Sequence, residues 1–176
     1  MNELISQTVV QMSSAYLLIG GNKGNRLKYL RSAVVLISQR IGNIIRSSSI
    51  YATEPYGFRD RQQFLNICVL VETTLSPHSI LDIILQIETS LGRKRNPEKY
   101  VSRSIDIDIL FYDDIMLQEP SLIIPHPELH KRNFTLIPMA EVSPGFIHPV
   151  LGKTISKLLE ESPDTHKVVL YRDLLF

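Results

Sequence analysis

Three observations on the sequence predict an α+β fold, with an antiparallel sheet and helices on one of its faces. Two segments, 25–42 and 76–92, repeat apolar residues at three- and four-residue steps, which is typical of amphipathic helices. Four other segments have strand character: 15–19, 46–52, 64–73 and 105–112. No repeat, low-complexity tract or linker divides the 176 residues, so we expect a single domain over 1–176, with residues 1–13 as an N-terminal extension.

Both predicted helices have start and stop signals. Asn25 is a candidate N-cap of the first helix, and Gly42 closes it. Ser76 followed by Pro77 begins the second, because proline is tolerated at the first helical position, and Gly92 ends it.

The most regular strand prediction is Phe64 to Thr73, which is apolar on both faces except at Asn66. A buried amide needs hydrogen-bond partners, so Asn66 is expected either to hold backbone in place or to bind a ligand. Through Tyr112 the elements follow the order β-α-β-β-α-β, which is the ferredoxin-like order. The remainder, with a short helix at 154–161 and a strand at 166–171, is expected to extend the sheet or cover its edge.

Composition limits the possible functions. Apolar residues make up 44% of the chain and charged residues 21%, with a formal net charge of +1, which argues against a general nucleic-acid or anionic-membrane surface. Any binding of phosphate groups must therefore depend on a local cluster of basic residues. A single cysteine, Cys68, and an N-terminus unlike a signal peptide predict a cytoplasmic protein without disulfides.

The most informative stretch is 92–112. Its first part holds five basic residues between Arg93 and Arg103, in a loop broken by Asn96-Pro97. Its second part is a strand on which Ile105, Ile107, Ile109 and Phe111 alternate with Asp106, Asp108 and Leu110. The two carboxylates are therefore about 6.6 Å apart on one face. Paired carboxylates beside arginines and lysines favour a site for Mg²⁺ and a polyphosphate.

A solvated acidic strand beside a solvated basic loop is the alternative interpretation of this stretch. His126, held between Pro125 and Pro127 and followed by basic residues 130–132, is a candidate phosphate ligand. Gly152-Lys153-Thr154 lacks the glycine spacing of a P-loop, and the five histidines lack the spacing of a zinc site.

Taken together, several motifs resemble the 6-hydroxymethyl-7,8-dihydropterin pyrophosphokinases of folate biosynthesis. They are Gly92-Arg-x-Arg95, Arg103-Ser-Ile-Asp106-Ile-Asp108-Ile-Leu, Pro125-His126-Pro127 and Arg132-x-Phe134, supported by Gly20-Gly21-Asn22, Thr53-x-Pro55-x-Gly57 and Phe64-Leu-Asn66. The resemblance covers residues 15–159, and the combination of the acidic strand with Pro-His-Pro is its most specific part.

The resemblance implies transfer of pyrophosphate from ATP to the hydroxymethyl group of the pterin, with release of AMP. It implies catalytic roles for Arg93, Arg103, Asp106 and Asp108, the two aspartates holding two Mg²⁺ ions. The residues it implies for ATP binding are Arg93, Arg95, Lys99, Arg103, His126 and Arg132. Those it implies for pterin binding are Thr53, Pro55, Tyr56, Phe64, Asn66, Glu88, Tyr100 and Phe134. The expected partners are these two small substrates, with a monomeric chain and no nucleic acid or membrane.

One segment departs from the family. Many members have Arg-Trp-Gly-Pro-Arg where this chain has Lys99-Tyr100-Val101-Ser102-Arg103. Tyrosine can serve as the aromatic residue of a loop that closes over substrate, whereas loss of Gly-Pro changes the flexibility of that loop. Two other functions fit parts of the pattern: a non-catalytic ferredoxin-like module that binds a nucleotide or metabolite, and a nucleotidyltransferase that uses the same acid pair.

Overall fold

The computed structural model describes residues 11–55, 62–94 and 102–172. The strands are Ser13–Gly21 (β1), Asn43–Ser47 (β2), Ile50–Thr53 (β3), Phe64–Thr73 (β4), Asp106–Tyr112 (β5), Leu117–Glu119 (β6), Leu122–Ile124 (β7) and Val168–Arg172 (β8). The helices are Arg26–Arg40 (α1), Pro77–Ser90 (α2), Asn133–Val142 (α3) and Ile155–Glu160 (α4), with a 3-10 turn at Leu129–Lys131.

Strand β1 lies inside the antiparallel main sheet, between the edge strand β5 and the central strand β4. β3 and β8 continue the sheet beyond β4, and β2 also pairs with β4. β6 and β7 form a separate hairpin. The α+β, ferredoxin-like class predicted from the element order is confirmed.

Both helix starts lie where the sequence predicts them. The Asn25 side chain accepts a hydrogen bond from the Lys28 N–H at 3.1 Å, and the Ser76 side chain accepts one from the Ser79 N–H at 3.2 Å. Gly92 follows α2 with a φ of +79°, a conformation that glycine adopts without strain.

The strand predicted at 46–52 is two strands in the structure. β2 ends at Ser47 and β3 begins at Ile50, so the prediction was wrong about continuity and about the start, which is at Asn43. Ser48 causes the break, because its side chain accepts the Cys68 N–H at 2.9 Å while its own N–H donates to the Cys68 carbonyl. The Ser48 side-chain oxygen thus takes the place of a backbone acceptor for the Cys68 N–H.

The sheet is buried on both faces. α1 and α2 cover one face, over an aliphatic core that includes Leu17, Ile19 and Ile67. α3 and α4 cover the other face, over a core that includes Tyr16 and Met139. β8 extends the sheet as expected, but the C-terminal helices pack on its second face rather than only at its edge. This arrangement fits β4, which is apolar on both sides.

Phe111 lies on the opposite face from the one that strict alternation predicts. Ile105, Ile107 and Ile109 contribute to the core beneath α1 and α2, whereas Leu110 and Phe111 both contribute to the core beneath α3. The pairing of β1 with β5 shifts register here, because Tyr16 and Leu17 lie opposite Phe111 and Ile109. The extra residue is a β-bulge, which changes the face of the residues that follow it.

No helix within 11–55, 62–94 and 102–172 has both the length and the apolar character needed to cross a membrane.

Candidate active site

A cavity of about 350 Å³ lies on the sheet face that carries α3. Its walls come from β1, β3, β4, β5 and the segment that leads into α3. The lining residues are Leu18, Gly20, Thr53, Glu54, Phe64, Asn66, Arg103, Asp106, Asp108, His126, Pro127, Glu128, Arg132 and Phe134. Nine of the residues predicted for the site are among them.

The two aspartates of β5 line the same cavity, as the period of two in the strand predicts. Asp106 lies opposite Gly20 of β1, and Asp108 lies opposite Leu18. Gly20 is required here, because a Cβ at this position would come within 2.4 Å of the Asn66 Oδ1 atom. The missing side chain lets the aspartates and Asn66 share one space.

Two arginines hold Asp106. Arg93 bonds to Asp106 Oδ1 and also to Glu88, while Arg103 contacts Asp106 Oδ2 at 2.8 Å. The Arg103 guanidinium also lies 5.4 Å from the centre of the Phe64 ring. Arg103 thus contacts both the acidic part and the aromatic part of the cavity, whereas Arg93 reaches Asp106 without lining the cavity.

The electrostatic states of these groups differ. Burial, the Asp106 carboxylate and Glu88 raise the pKa of Asp108 to about 7, against the opposing effect of Arg103 and Arg93. Burial alone would lower the pKa of Arg93, but the Asp106 and Glu88 carboxylates outweigh it and the net shift is upward. The two arginines thus only partly offset the effect of burial and of the neighbouring carboxylates on Asp108.

Glu88 lies at the C-terminal end of α2, with 2% of its surface exposed. Its carboxylate accepts the Ile107 N–H at 2.9 Å and pairs with Arg93. It does not line the cavity. The structure therefore places this predicted pterin residue as a support for β5 and Arg93.

An aromatic and amide surface forms the other part of the cavity. Asn66 is 4% exposed and donates from Nδ2 to the Thr53 Oγ1 atom at 3.0 Å. Phe64, on the same face of β4, and Phe134, in the first turn of α3, line the same space. The fold thus brings together residues from three separate parts of the sequence.

His126 is held at both its backbone and its ring. Its N–H donates to the Leu110 carbonyl at 3.0 Å, and its Nδ1 atom accepts the Glu128 N–H at 3.3 Å. Burial and the nearby Arg132 cation lower the pKa of His126. The neutral ring therefore carries its proton on Nε2, as a hydrogen-bond donor. Arg132 lies 5.9 Å from the Phe134 ring centre.

Seven of the sixteen predicted residues are not among the lining residues: Arg93 and Glu88, described above, and five others. Pro55 is described but is not part of the lining. Tyr56, Arg95, Lys99 and Tyr100 lie outside the described residues.

Sequence reasoning missed Leu18, Glu54, Pro127 and Glu128 as lining residues. Glu54 sits within the Thr53-x-Pro55 motif and Glu128 directly follows Pro-His-Pro, so position within the motifs was the available signal. It also gave Asn22 only as part of a supporting motif, although this residue is almost completely buried.

These features define a ferredoxin-like domain in which one cavity combines a charged surface with an aromatic and amide surface. Carboxylates and cationic side chains suit a polyphosphate with its metal, and an amide between aromatic rings suits a flat polar heterocycle. Within the described residues no group of three or more His, Cys, Asp or Glu side chains could hold a metal unaided.

Comparison with known proteins identifies the family of this chain. The family model for 7,8-dihydro-6-hydroxymethylpterin-pyrophosphokinase (HPPK) matches residues 16–144. A pyrophosphokinase of Bacillus subtilis is 41% identical over 129 residues, which are 73% of this chain and 77% of the relative. One from Aquifex aeolicus is 34% identical over 86% of this chain and 93% of the relative. Both are named 2-amino-4-hydroxy-6-hydroxymethyldihydropteridine pyrophosphokinase.

A solved structure of Plasmodium falciparum HPPK-DHPS with pteroate supports the fold. It has a TM-score of 0.72 at 19% identity, over 86% of this chain and 44% of that chain. The present chain thus spans less than half of the Plasmodium protein. From the family model and the bacterial relatives, the chain belongs to the 7,8-dihydro-6-hydroxymethylpterin-pyrophosphokinase family. The resemblance found in the motifs is confirmed, and with it the assignment to the transferases.

Proposed function

We propose that this chain transfers a pyrophosphoryl group from ATP to the hydroxymethyl oxygen of 6-hydroxymethyl-7,8-dihydropterin, a step of folate biosynthesis. The new O–P bond forms at the β-phosphorus of ATP as the bond from that phosphorus to the α–β bridging oxygen breaks. AMP leaves with the bonding electrons, and the hydroxyl proton is lost to solvent. The observation that carries the proposal is that Asp106, Asp108 and Arg103 share one cavity with Asn66 and Phe64.

The pterin is proposed to bind against Asn66, between the rings of Phe64 and Phe134. Burial of Asn66 and its bond to Thr53 fix the side-chain amide, so its remaining polar groups can recognise the amide edge of a heterocycle. The aromatic rings provide flat apolar surfaces for stacking. Pro55, Tyr56 and Tyr100 stay part of this proposal through the family motifs.

Asp106 and Asp108 are proposed to hold two Mg²⁺ ions. The fit is good because Mg²⁺ is commonly bound by one or two carboxylates together with substrate phosphates and water. The raised pKa of Asp108 agrees, since this carboxylate needs a neighbouring positive charge to stay ionised near pH 7. When bound, the metal ions would neutralise phosphate charge and align the attacking hydroxyl with the β-phosphorus.

The cationic side chains are proposed to bind the triphosphate. Arg103 and Arg93, which pair with Asp106, would donate to phosphate oxygens of the bound substrate. His126 would donate through Nε2–H, and Arg132 lines the same wall. Arg95 and Lys99, outside the described residues, would add charge from the same basic loop.

Product analysis tests this proposal. The chain is incubated with ATP, Mg²⁺ and the reduced hydroxymethyl pterin, and the nucleotide products are separated. We expect AMP and a pyrophosphorylated pterin in equal amounts. ADP would indicate an ordinary kinase, pyrophosphate a nucleotidyltransferase, and no turnover with Mg²⁺-dependent ATP binding a non-catalytic module. Any of these three outcomes would overturn the proposal.

A further inference from the structure

Asn22 is a deeply buried polar residue that the proposed reaction does not use. It directly follows β1, in the turn that leads to α1, and only 1% of its surface is exposed. The neighbouring Lys23 and Gly24 are exposed. A buried amide in an otherwise exposed turn is stable only when its donors and acceptor are bonded.

Asn22 binds both polar groups of the Arg103 backbone. Its N–H donates to the Arg103 carbonyl at 3.0 Å, and its Oδ1 atom accepts the Arg103 N–H at 2.9 Å. The Lys23 N–H also donates to the Arg103 carbonyl, at 3.2 Å. The backbone of Arg103 is therefore attached to the end of β1 by three hydrogen bonds before β5 begins.

The side-chain amide of Asn22 also reaches two other segments. Its Nδ2 atom donates to Ser102 Oγ at 3.3 Å and to the Gln62 carbonyl at 3.4 Å. Gln62 lies two residues before Phe64, which lines the proposed pterin site. One side chain thus connects the entry to β4 with the entry to β5.

Close packing between the end of β1 and the segment 102–104 restricts movement of the Arg103 backbone. A Cβ at Gly21 would lie 2.3 Å from the Ser104 carbonyl oxygen, so the segment 102–104 rests directly on the end of β1. From this backbone the Arg103 side chain reaches Asp106 Oδ2 at 2.8 Å and the Phe64 ring at 5.4 Å. A shift of the Arg103 backbone would change both contacts.

We propose that Asn22 is a positioning residue for pyrophosphoryl transfer. It holds the backbone of Arg103 so that the guanidinium lies between the carboxylate pair and the ring site. This inference rests on the proposed function and adds to it the residue that sets the place of Arg103. Misplacement of a charged group by about 1 Å can cost on the order of 100-fold in rate.

A double-mutant cycle tests the proposal. Asn22→Ala is compared with the wild type, and Asn22→Ala with Arg103→Ala is compared with Arg103→Ala alone. We expect Asn22→Ala to lower kcat by about 10- to 100-fold in the first comparison and by less than about threefold in the second, because its effect passes through Arg103. Lys23→Ala is the matched control: this exposed side chain is lost while its backbone N–H remains, and kcat should not change.

Hydrogen exchange gives a readout that does not depend on activity. The Arg103 amide should exchange faster in Asn22→Ala than in Lys23→Ala, because its acceptor is removed. If Asn22→Ala does not fold, Asn22→Asp replaces it in the cycle. This variant keeps the acceptor for the Arg103 N–H and loses the donors to Ser102 and Gln62, so an intermediate loss of kcat is expected.

An unchanged kcat in the folded Asn22 variant would overturn the proposal, as would an equal loss in both backgrounds, which would indicate a general structural role. A wild-type protein that forms no AMP would overturn the proposed function and this inference with it. Failure of the inference alone is recognisable, because the wild type then forms AMP while the cycle shows no coupling.

Discussion

The two parts of the cavity are held together in different ways. At the acidic part the functional groups hold one another: Arg93 and Arg103 pair with Asp106, and Glu88 pairs with Arg93. At the aromatic part Asn66 is held by Thr53 and by close packing over Gly20, while Phe64 extends from β4. On the proposed function, the charged part would have to exchange ion-pair partners when substrate binds, whereas the neutral part would need no such exchange.

The largest expected effect is on kcat, and it comes from changing the acidic part of the cavity while the aromatic part is left intact. Asp106→Asn or Asp108→Asn should lower kcat by about 1,000-fold or more, because each removes a charge proposed to hold Mg²⁺. Pterin affinity should change by less than about threefold. Steady-state AMP release and pterin binding by fluorescence measure the two quantities.

Asp114→Asn is the control for that experiment, since it makes the same change at an exposed position just after β5 and should leave both quantities unchanged. Normal turnover in either site variant would refute the metal assignment.

The next largest effect concerns the neutral part. Phe134→Ala should raise the KM for the pterin by about 10- to 100-fold, because stacking of a heterocycle on an aromatic ring contributes about 1–3 kcal/mol. The affinity for an ATP analogue, measured by calorimetry, should change little. Phe146→Ala removes a ring from the core beneath α3 and serves as the comparison, since it should lower stability without a selective change in pterin KM. Equal losses of pterin and ATP affinity in Phe134→Ala would show that the two parts are not separable.

A smaller effect is expected at Glu88, and it tests whether this residue supports Arg93 and β5 or binds the pterin. Glu88→Gln keeps the shape and an acceptor for the Ile107 N–H, but it removes the charge that pairs with Arg93. We expect the free energy of unfolding to fall by about 1–3 kcal/mol, because a buried charged partner is lost. Denaturant unfolding measures the change.

In the same Glu88→Gln variant the pterin KM should stay within about threefold of the wild type. A selective rise in that KM, without loss of stability, would instead support the pterin contact implied by the family resemblance.

The smallest effect is the pH dependence of His126. Because its pKa in the folded protein is below the ordinary value of 6.5, the folded state favours the neutral ring, and protonation at low pH destabilises it. The stability that this shift contributes is present above about pH 6.5 and is lost as the pH falls toward the folded-state pKa. The charged groups that act on the ring are Arg132, which lowers its pKa, and Asp106 and Glu128, which raise it.

His126→Gln keeps a neutral donor, so its melting temperature should fall less than that of the wild type between pH 7 and pH 5. Substrate-free protein is used, since bound phosphate would favour the charged ring. Parallel pH profiles for the two proteins would contradict the assignment of a neutral His126.

Much of the fold followed from local pattern. The caps at Asn25 and Ser76, the closing Gly92 and the limits of β4 all lie where the sequence predicted them, because helix ends and strand ends depend on nearby residues. The break at Ser48 and the changed face of Phe111 were not predictable in this way. Both depend on a partner strand: Cys68 of β4 in one case and the register with β1 in the other.

The site, too, has features that followed from local sequence pattern and features that depended on the tertiary structure. The alternation of Asp106 and Asp108 with isoleucines already determined that both carboxylates share a face, since a strand has a period of two. The motifs likewise predicted that Asn66, Phe64 and His126 belong to one site, and all three line the same cavity. Only the tertiary structure placed Glu88 behind β5 and made Asn22 the connection between Arg103 and Gln62. Those roles arise from hydrogen bonds between residues 19 to 81 positions apart, which no local pattern encodes.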